Sequence, residues 1–149
     1  MPNALTIANT ILSMAFSEAK DITPMKLQKL IYFIYKRYLQ ITQQPLFSER
    51  FEVWQYGPVL SSVYEEFKSY GSNHIKKYYI SGDGKAWIIN MDMNEEFSDA
   101  FNFVWSKYAD LDGIFLSSLT HKINSAWHKA LKNEMVFLAD NDIKEEDWY

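Results

Sequence analysis

Residues 21–41, DITPMKLQKLIYFIYKRYLQI, decide the fold. Thr23 is a good helix N-cap, because its hydroxyl can accept from a free N–H of the first turn. Pro24 follows at N1, where a missing N–H is no loss and φ is already helical. From there Leu27, Leu30, Ile31, Ile34, Tyr38 and Ile41 recur at helical spacing, and Tyr35 and Leu39 widen the stripe beyond half the circumference. A helix apolar over so much of its surface is expected at the centre of the molecule. The remaining sector collects Lys26, Lys29, Phe33, Lys36, Arg37 and Gln40, which sets one aromatic ring among four positive charges. It reads either as a solvated face or as a docking surface for an acidic partner, where an exposed ring among cations is useful. Nucleic acid is a third reading. A dedicated nucleic-acid binder carries a clear basic excess, and this chain has a net charge of -4.

Upstream, residues 4–17 place Leu5, Ala8, Leu12 and Ala15 on one face, widened by Ile11 and Phe16, and predict a first amphipathic helix. Downstream, a turn at Pro45 leads into residues 51–71, FEVWQYGPVLSSVYEEFKSYG. Phe51 and Val53 alternating with Glu52 and Trp54 predict an extended segment, punctuated at Gly57 and Pro58. Pro58 is expected at N1 of a helix carrying Val59, Val63, Phe67 and Tyr70 and closed by Gly71. Local chemistry favours a structural role for this corner, with Trp54 and Tyr56 turned into the core.

The runs Ile75 to Ile80 and Ala86 to Met91, joined by Ser81-Gly82-Asp83-Gly84, predict a β-hairpin. Asn94, with Glu95 and Glu96 behind it, opens a helix whose Phe97, Ala100, Phe101, Val104 and Tyr108 point inward. DLDGIFLSSLTH (residues 110–121) and residues 125–132 predict two short helices, and Asp142 with Glu145 is spaced as a capping box for a last one. The fold class expected is mainly α, of the α+β kind: one compact domain over residues 1–149, with five or six helices and a small β-hairpin or sheet.

Charge is unevenly placed. Residues 134–149 hold Glu134, Asp140, Asp142, Glu145, Glu146 and Asp147 against Lys144 alone, so this acidic tail stands ready to fold over the basic sector. With no cysteine, thiolate nucleophiles, disulfides and cysteine metal sites are excluded. The N-terminus lacks the basic region of a signal peptide, and no apolar run reaches the roughly 20 residues a membrane span needs, so a cytoplasmic protein is expected.

The search for chemistry is empty. His74, His121 and His128 form no metal-binding spacing, no Gly-x-Ser-x-Gly elbow surrounds a serine, and Ser81 to Lys85 lacks phosphate-loop spacing. The paired acids, such as Glu65-Glu66 and Glu95-Glu96, are adjacent and diverge on a helix. No catalytic residue, metal or cofactor is expected.

Four blocks stand in a fixed order: ITPMKLQKLIYFIYKRYLQITQQPLF, FEVWQYGPVLSSVYEEFKSYG, FNFVWSKYADLDGIFLSSLTH and SAWHKA. Together they closely resemble the Panacea domain family, the SocA-like and phage-associated GepA-like antitoxins, from about Ala4 to Lys132. The motif positions are Leu27, Leu30 and Tyr32 in the long helix, Val59 in the corner, Leu119, Thr120 and His121 in the Leu-Thr-His element, and Trp127. Val53 and Ala126 depart conservatively from the alanine and proline expected there. The zinc or helix-turn-helix module that some relatives carry is missing.

The resemblance implies an antitoxin of a type II toxin-antitoxin system, neutralising a cognate protein toxin, usually encoded beside it, by direct binding. Two alternatives remain: an adaptor delivering the toxin to a AAA+ protease of the ClpXP type, and a phage or mobile-element accessory protein binding a host factor. No membrane partner is expected, nor nucleic acid without a protein partner. The expected partner surface comprises Lys26, Lys29, Phe33, Lys36 and Arg37 with the corner Trp54, Tyr56, Gly57 and Pro58, while His121 and Trp127 serve the fold.

Overall fold

A computed structural model describes residues 1–149. It contains seven α-helices: α1 (Ala4–Ser17), α2 (Pro24–Thr42), α3 (Ser61–Phe67), α4 (Glu95–Tyr108), α5 (Gly113–Thr120), α6 (Ala126–Lys132) and α7 (Asp140–Glu145). Two short strands, β1 (Glu52–Trp54) and β2 (Gly57–Val59), pair antiparallel, with Glu52 opposite Val59, Val53 opposite Pro58 and Trp54 opposite Gly57. The fold is mainly helical with a small sheet, as expected.

Helix α2 begins as its sequence dictates: Thr23 accepts from the Lys26 N–H and Pro24 takes the first turn. It ends where Gln43 adopts a left-handed conformation and its N–H reaches the Leu39 carbonyl. Every residue from Lys26 to Lys36 is buried, so the helix is enclosed on all sides. It touches α1, α3, α4, α5, α7 and β2. This burial corrects the reading of the basic sector as a surface. Lys26, Lys29, Phe33 and Lys36 face other elements because there is no open side for them to occupy. Ile41, near the helix end, is exposed instead of core.

α1 buries Ala4, Ile7, Ala8, Ile11, Leu12 and Ala15, and α4 buries Phe97, Ala100, Phe101, Val104, Trp105 and Tyr108. α5 is capped by Asp112, whose side chain accepts from the Phe115 N–H, and α6 by Ser125, which accepts from the His128 N–H. Gly113 lets α5 approach α2 closely, since a Cβ there would lie 2.8 Å from the Lys26 backbone nitrogen.

Three local expectations are corrected. The hairpin predicted over residues 75–91 does not form; this stretch is irregular and laid against α1 instead. Asn9 of α1 exchanges two side-chain hydrogen bonds with the backbone of Tyr79, and the Thr10 hydroxyl accepts from the Ile89 N–H. These bonds satisfy backbone groups that a ladder would otherwise use. The hairpin is at the corner, where Pro58 lies inside β2 and α3 starts three residues later than the proline suggests. α7 starts at Asp140, so Asp142 belongs to its first turn and is not its cap.

The segment after α6 extends the small sheet. The Val53 N–H donates to Val136 O, the Leu138 N–H donates to Phe51 O, and Glu52 bridges Phe137. No helix is long and apolar enough to cross a membrane.

Candidate functional site

The β1–β2 turn is held from behind by side chains of three helices, each aimed at one of its backbone carbonyls. Trp127 of α6 donates its indole N–H to Trp54 O at 2.7 Å, and His121 Nε2 lies 2.8 Å from Gln55 O. The Ser117 hydroxyl of α5 donates to Tyr56 O at 2.5 Å, and Lys29 Nζ of α2 donates to Pro58 O at 3.1 Å. Two residues further on, the Gln28 amide both donates to Leu60 O and accepts from the Leu60 N–H, taking the place of a neighbouring strand. Hydrogen bonds of this kind contribute about 1 kcal/mol each, so together they fix the turn's backbone.

His121 is enclosed by acceptors. Its Nδ1 lies 2.6 Å from Ser117 O and its Nε2 faces Gln55 O. Carbonyl oxygens only accept, so the ring donates from whichever nitrogen carries hydrogen. The ring also lies at the C-terminal end of α5, 4.0 Å between centroids from Trp127.

Gly57 is required here for two reasons. Its φ is +112°, outside the range side-chain-bearing residues adopt readily, and a Cβ would collide with the Thr120 hydroxyl. That hydroxyl is itself fixed, donating to Ser117 O at 2.6 Å. The outcome for the corner is divided. Gly57 and Pro58 are buried, Trp54 is half-buried with its ring edge-on to Tyr64 at 4.7 Å, and Tyr56 projects into solvent with 58% of its surface exposed. The expectation that Tyr56 joins the core is therefore corrected: in the turn between the strands its carbonyl faces inward to Ser117 while its ring stays exposed.

Beside the turn, a groove of about 410 Å³ runs between the start of α2, the corner and α3. Trp54, Tyr56, Val59, Val63, Tyr64 and Phe67 supply much of its wall, and its charged residues are Lys29 and Lys68. Burial alone lowers Lys29 to about 7.

The other part of the basic sector is closed by the acidic tail, as its charge suggested. Lys36 Nζ lies 2.9 Å from Glu146 Oε2 and also donates to Asp147 O. Glu146 Oε1 accepts from the Tyr32 hydroxyl at 2.9 Å and from the Ala126 N–H at the start of α6 at 3.0 Å. Trp148 covers Lys36 at 4.0 Å, donates its indole N–H to Gln40 and lies against Phe33, Phe103 and Tyr108. Lys26 donates to Ala109 O, and Arg37 stacks over Phe103 at 3.9 Å. Of the nine residues expected at a partner surface, the structure thus exposes Tyr56 and leaves Trp54 and Arg37 half-buried, with Lys29 at the groove wall.

The motif residues fall into two sets. Leu27, Leu30, Tyr32, Val59 and Leu119 fill the core, while Thr120, His121 and Trp127 join the support of the corner. Sequence reasoning missed Gln28, Ser117 and Glu146. Gln28 was hidden within an apolar helix, Ser117 read as an ordinary short-helix serine, and Glu146 was one acid among six. No group of three His, Cys, Asp or Glu residues is arranged to hold a metal ion.

The model of the family described as antitoxin SocA-like, Panacea domain, matches residues 27–128, which span the central helix, the corner and its supporting side chains. This chain belongs to that family. It is also 27% identical over 128 residues, 84% of this chain and 68% of the relative, to antitoxin SocA of Caulobacter vibrioides (strain NA1000 / CB15N). No solved structure matches. The matched segment of this SocA-like, Panacea-domain chain ends before the tail that carries Glu146 and Trp148.

Proposed function

We infer that this chain is the antitoxin of a two-protein, type II system, and that it neutralises a toxin encoded beside it by binding the toxin directly in the cytoplasm. Family membership supplies the antitoxin role. The observation that carries direct binding is the corner: its backbone carbonyls are tied to Lys29, Ser117, His121 and Trp127 while the Tyr56 ring stands free above an apolar groove. A rigid backbone presenting an aromatic side chain loses little entropy on binding, and tyrosine is a frequent anchor of protein interfaces. The reading needs no chemistry from the chain itself.

Co-expression with the product of the adjacent gene is the test. The expected result is growth rescue together with a complex that survives purification and accumulates with time. Rescue with a toxin that disappears, and is preserved when the ClpXP protease is removed, would instead assign delivery to that protease. Failure to rescue, with capture of a host protein in its place, would assign the chain to a mobile element's dealings with its host.

A further inference from the structure

Lys29 and Lys36 stand two turns apart on one face of α2, and each is 1% exposed. Lys36 has a carboxylate, Glu146, and an aromatic lid, Trp148. Lys29 has neither. Its single hydrogen-bond partner is Pro58 O, which leaves two hydrogens of an ammonium without acceptors, and it lines the groove beside the corner. Buried ionisable groups in folded proteins are paired or give up their charge, so a lysine amine with no counter-charge at the wall of a groove marks a position that a carboxylate can fill. The groove's second charged residue, Lys68 at its rim, is already paired with Glu65 at 2.6 Å, so Lys29 is the lining charge left without a partner. The walls are aromatic and aliphatic, contributed by Trp54, Tyr56, Val63, Tyr64 and Phe67.

We propose that this groove receives a segment of the partner protein in which an aspartate or glutamate is flanked by large apolar side chains, the carboxylate pairing with Lys29 and the apolar groups lying between Tyr56 and α3. The segment has the chemistry that Glu146 and Trp148 present to Lys36. The tail of the same molecule cannot supply it, because those residues are committed two turns away. Charge complementarity selects an acidic occupant, and the apolar wall selects its neighbours. The inference rests on the direct-binding reading above and specifies which surface and which partner chemistry serve it.

The experiment uses the full chain and the purified product of the adjacent gene, made as an inactive variant. Lysine side chains labelled with ¹³C at Cε are titrated by NMR with and without that protein. Lys29 titrates near 7 when free, and its midpoint is expected to rise by about two units or more in the complex, because a carboxylate stabilises the ammonium. In parallel, Lys68→Glu at the exposed rim is expected to weaken binding by about tenfold, and more so at low salt. One Asp→Asn or Glu→Gln change in the partner should weaken binding of the wild-type chain by about tenfold and have no effect on a Lys29→Met chain. Should Lys29→Met fail to fold, the titration and the Lys68→Glu arm decide the matter. Tight binding with an unmoved Lys29 midpoint and an indifferent Lys68→Glu overturns this inference and leaves direct binding standing. Absence of any binding by the wild-type chain overturns both. Dimerisation of the chain alone, weakened by Lys68→Glu, assigns the groove to a second copy and also overturns it.

Discussion

Lys36 and Glu146 form an ion pair of 2.9 Å whose side chains are 1% and 4% exposed, and the two residues are separated by 110 positions in the chain. The same carboxylate holds the Tyr32 hydroxyl and the first N–H of α6. One residue of the C-terminal segment therefore ties together α2 and α6. Burial and the Glu146 charge push the Tyr32 hydroxyl well above its ordinary value, while burial lowers Lys36 against the pull of Glu146.

Removing one member of a buried pair strands the other. Glu146→Ala is expected to destabilise the chain by about 3–5 kcal/mol, because Lys36 is left without a counter-charge and two donors lose their acceptor. Replacing both members, Lys36→Met with Glu146→Leu, is expected to cost less than Glu146→Ala alone. Urea unfolding of the two variants checks the order. Equal losses in both would show that the pair is not what holds the tail.

At the corner, Gly57→Ala combines an unfavourable backbone conformation with a collision at Thr120. Strain of about 1–3 kcal/mol adds to an overpacking term of similar size. A loss of roughly 3 kcal/mol or more is expected in urea unfolding, with weakened toxin rescue. A loss below about 1 kcal/mol would mean that the turn relaxes freely.

His121→Ala removes the ring that bridges Gln55 O and Ser117 O. A loss of about 1–3 kcal/mol is expected, the scale of buried acceptors left unpaired. The more telling measurement is amide exchange. Protection should fall at residues 54–57 while α1 and α4 keep theirs, since the histidine fastens the turn and not the core.

Tyr56→Ala separates fold from binding. The ring is exposed and its carbonyl bond to Ser117 is a backbone feature, so stability should stay within about 0.5 kcal/mol of wild type. Rescue of growth and affinity for the adjacent gene's product should drop, by about tenfold or more if the ring is an anchor. Unchanged affinity would remove the corner from the interface.

Stability should rise with pH on the alkaline side of neutrality. Burial lowers Lys29 from 10.5 to about 7, so between those values the unfolded chain binds a proton that the folded chain does not. The slope from this group alone reaches about 1.4 kcal/mol per pH unit and vanishes below its folded value. Burial also lowers Lys26 and Lys36, which adds to the slope. Tyr32, Tyr35 and Tyr108 are raised by burial and withdraw stability once unfolded tyrosines ionise, above about pH 10. Urea midpoints are expected to climb from about pH 7 to about pH 9.5, and Lys29→Met should flatten the climb.

Much of this was legible in the residues. Thr23 and Pro24 announce α2, residues 110–121 and 125–132 hold α5 and α6, and the inward face of α4 follows its periodicity, because capping and helical spacing are local physics. The 75–91 stretch misled because turn chemistry and β-prone composition specify extended backbone without specifying its partner. Asn9 and Thr10 of α1 became that partner in place of a second strand. The basic sector misled for a related reason. Lysines on a helix read as solvated until carbonyls from α4 and the corner, and a carboxylate from the tail, are known to meet them.

The sequence by itself determined which segments are helices, that α2 is central, and which family the chain resembles, since spacing, caps and motif order are properties of neighbouring residues. Only the tertiary structure decided that Lys36 is answered and Lys29 is not, and that Tyr56 faces outward while Gly57 lies under Thr120. Those relations join residues dozens of positions apart, and a buried charge or an exposed ring is defined by what the folded chain brings against it.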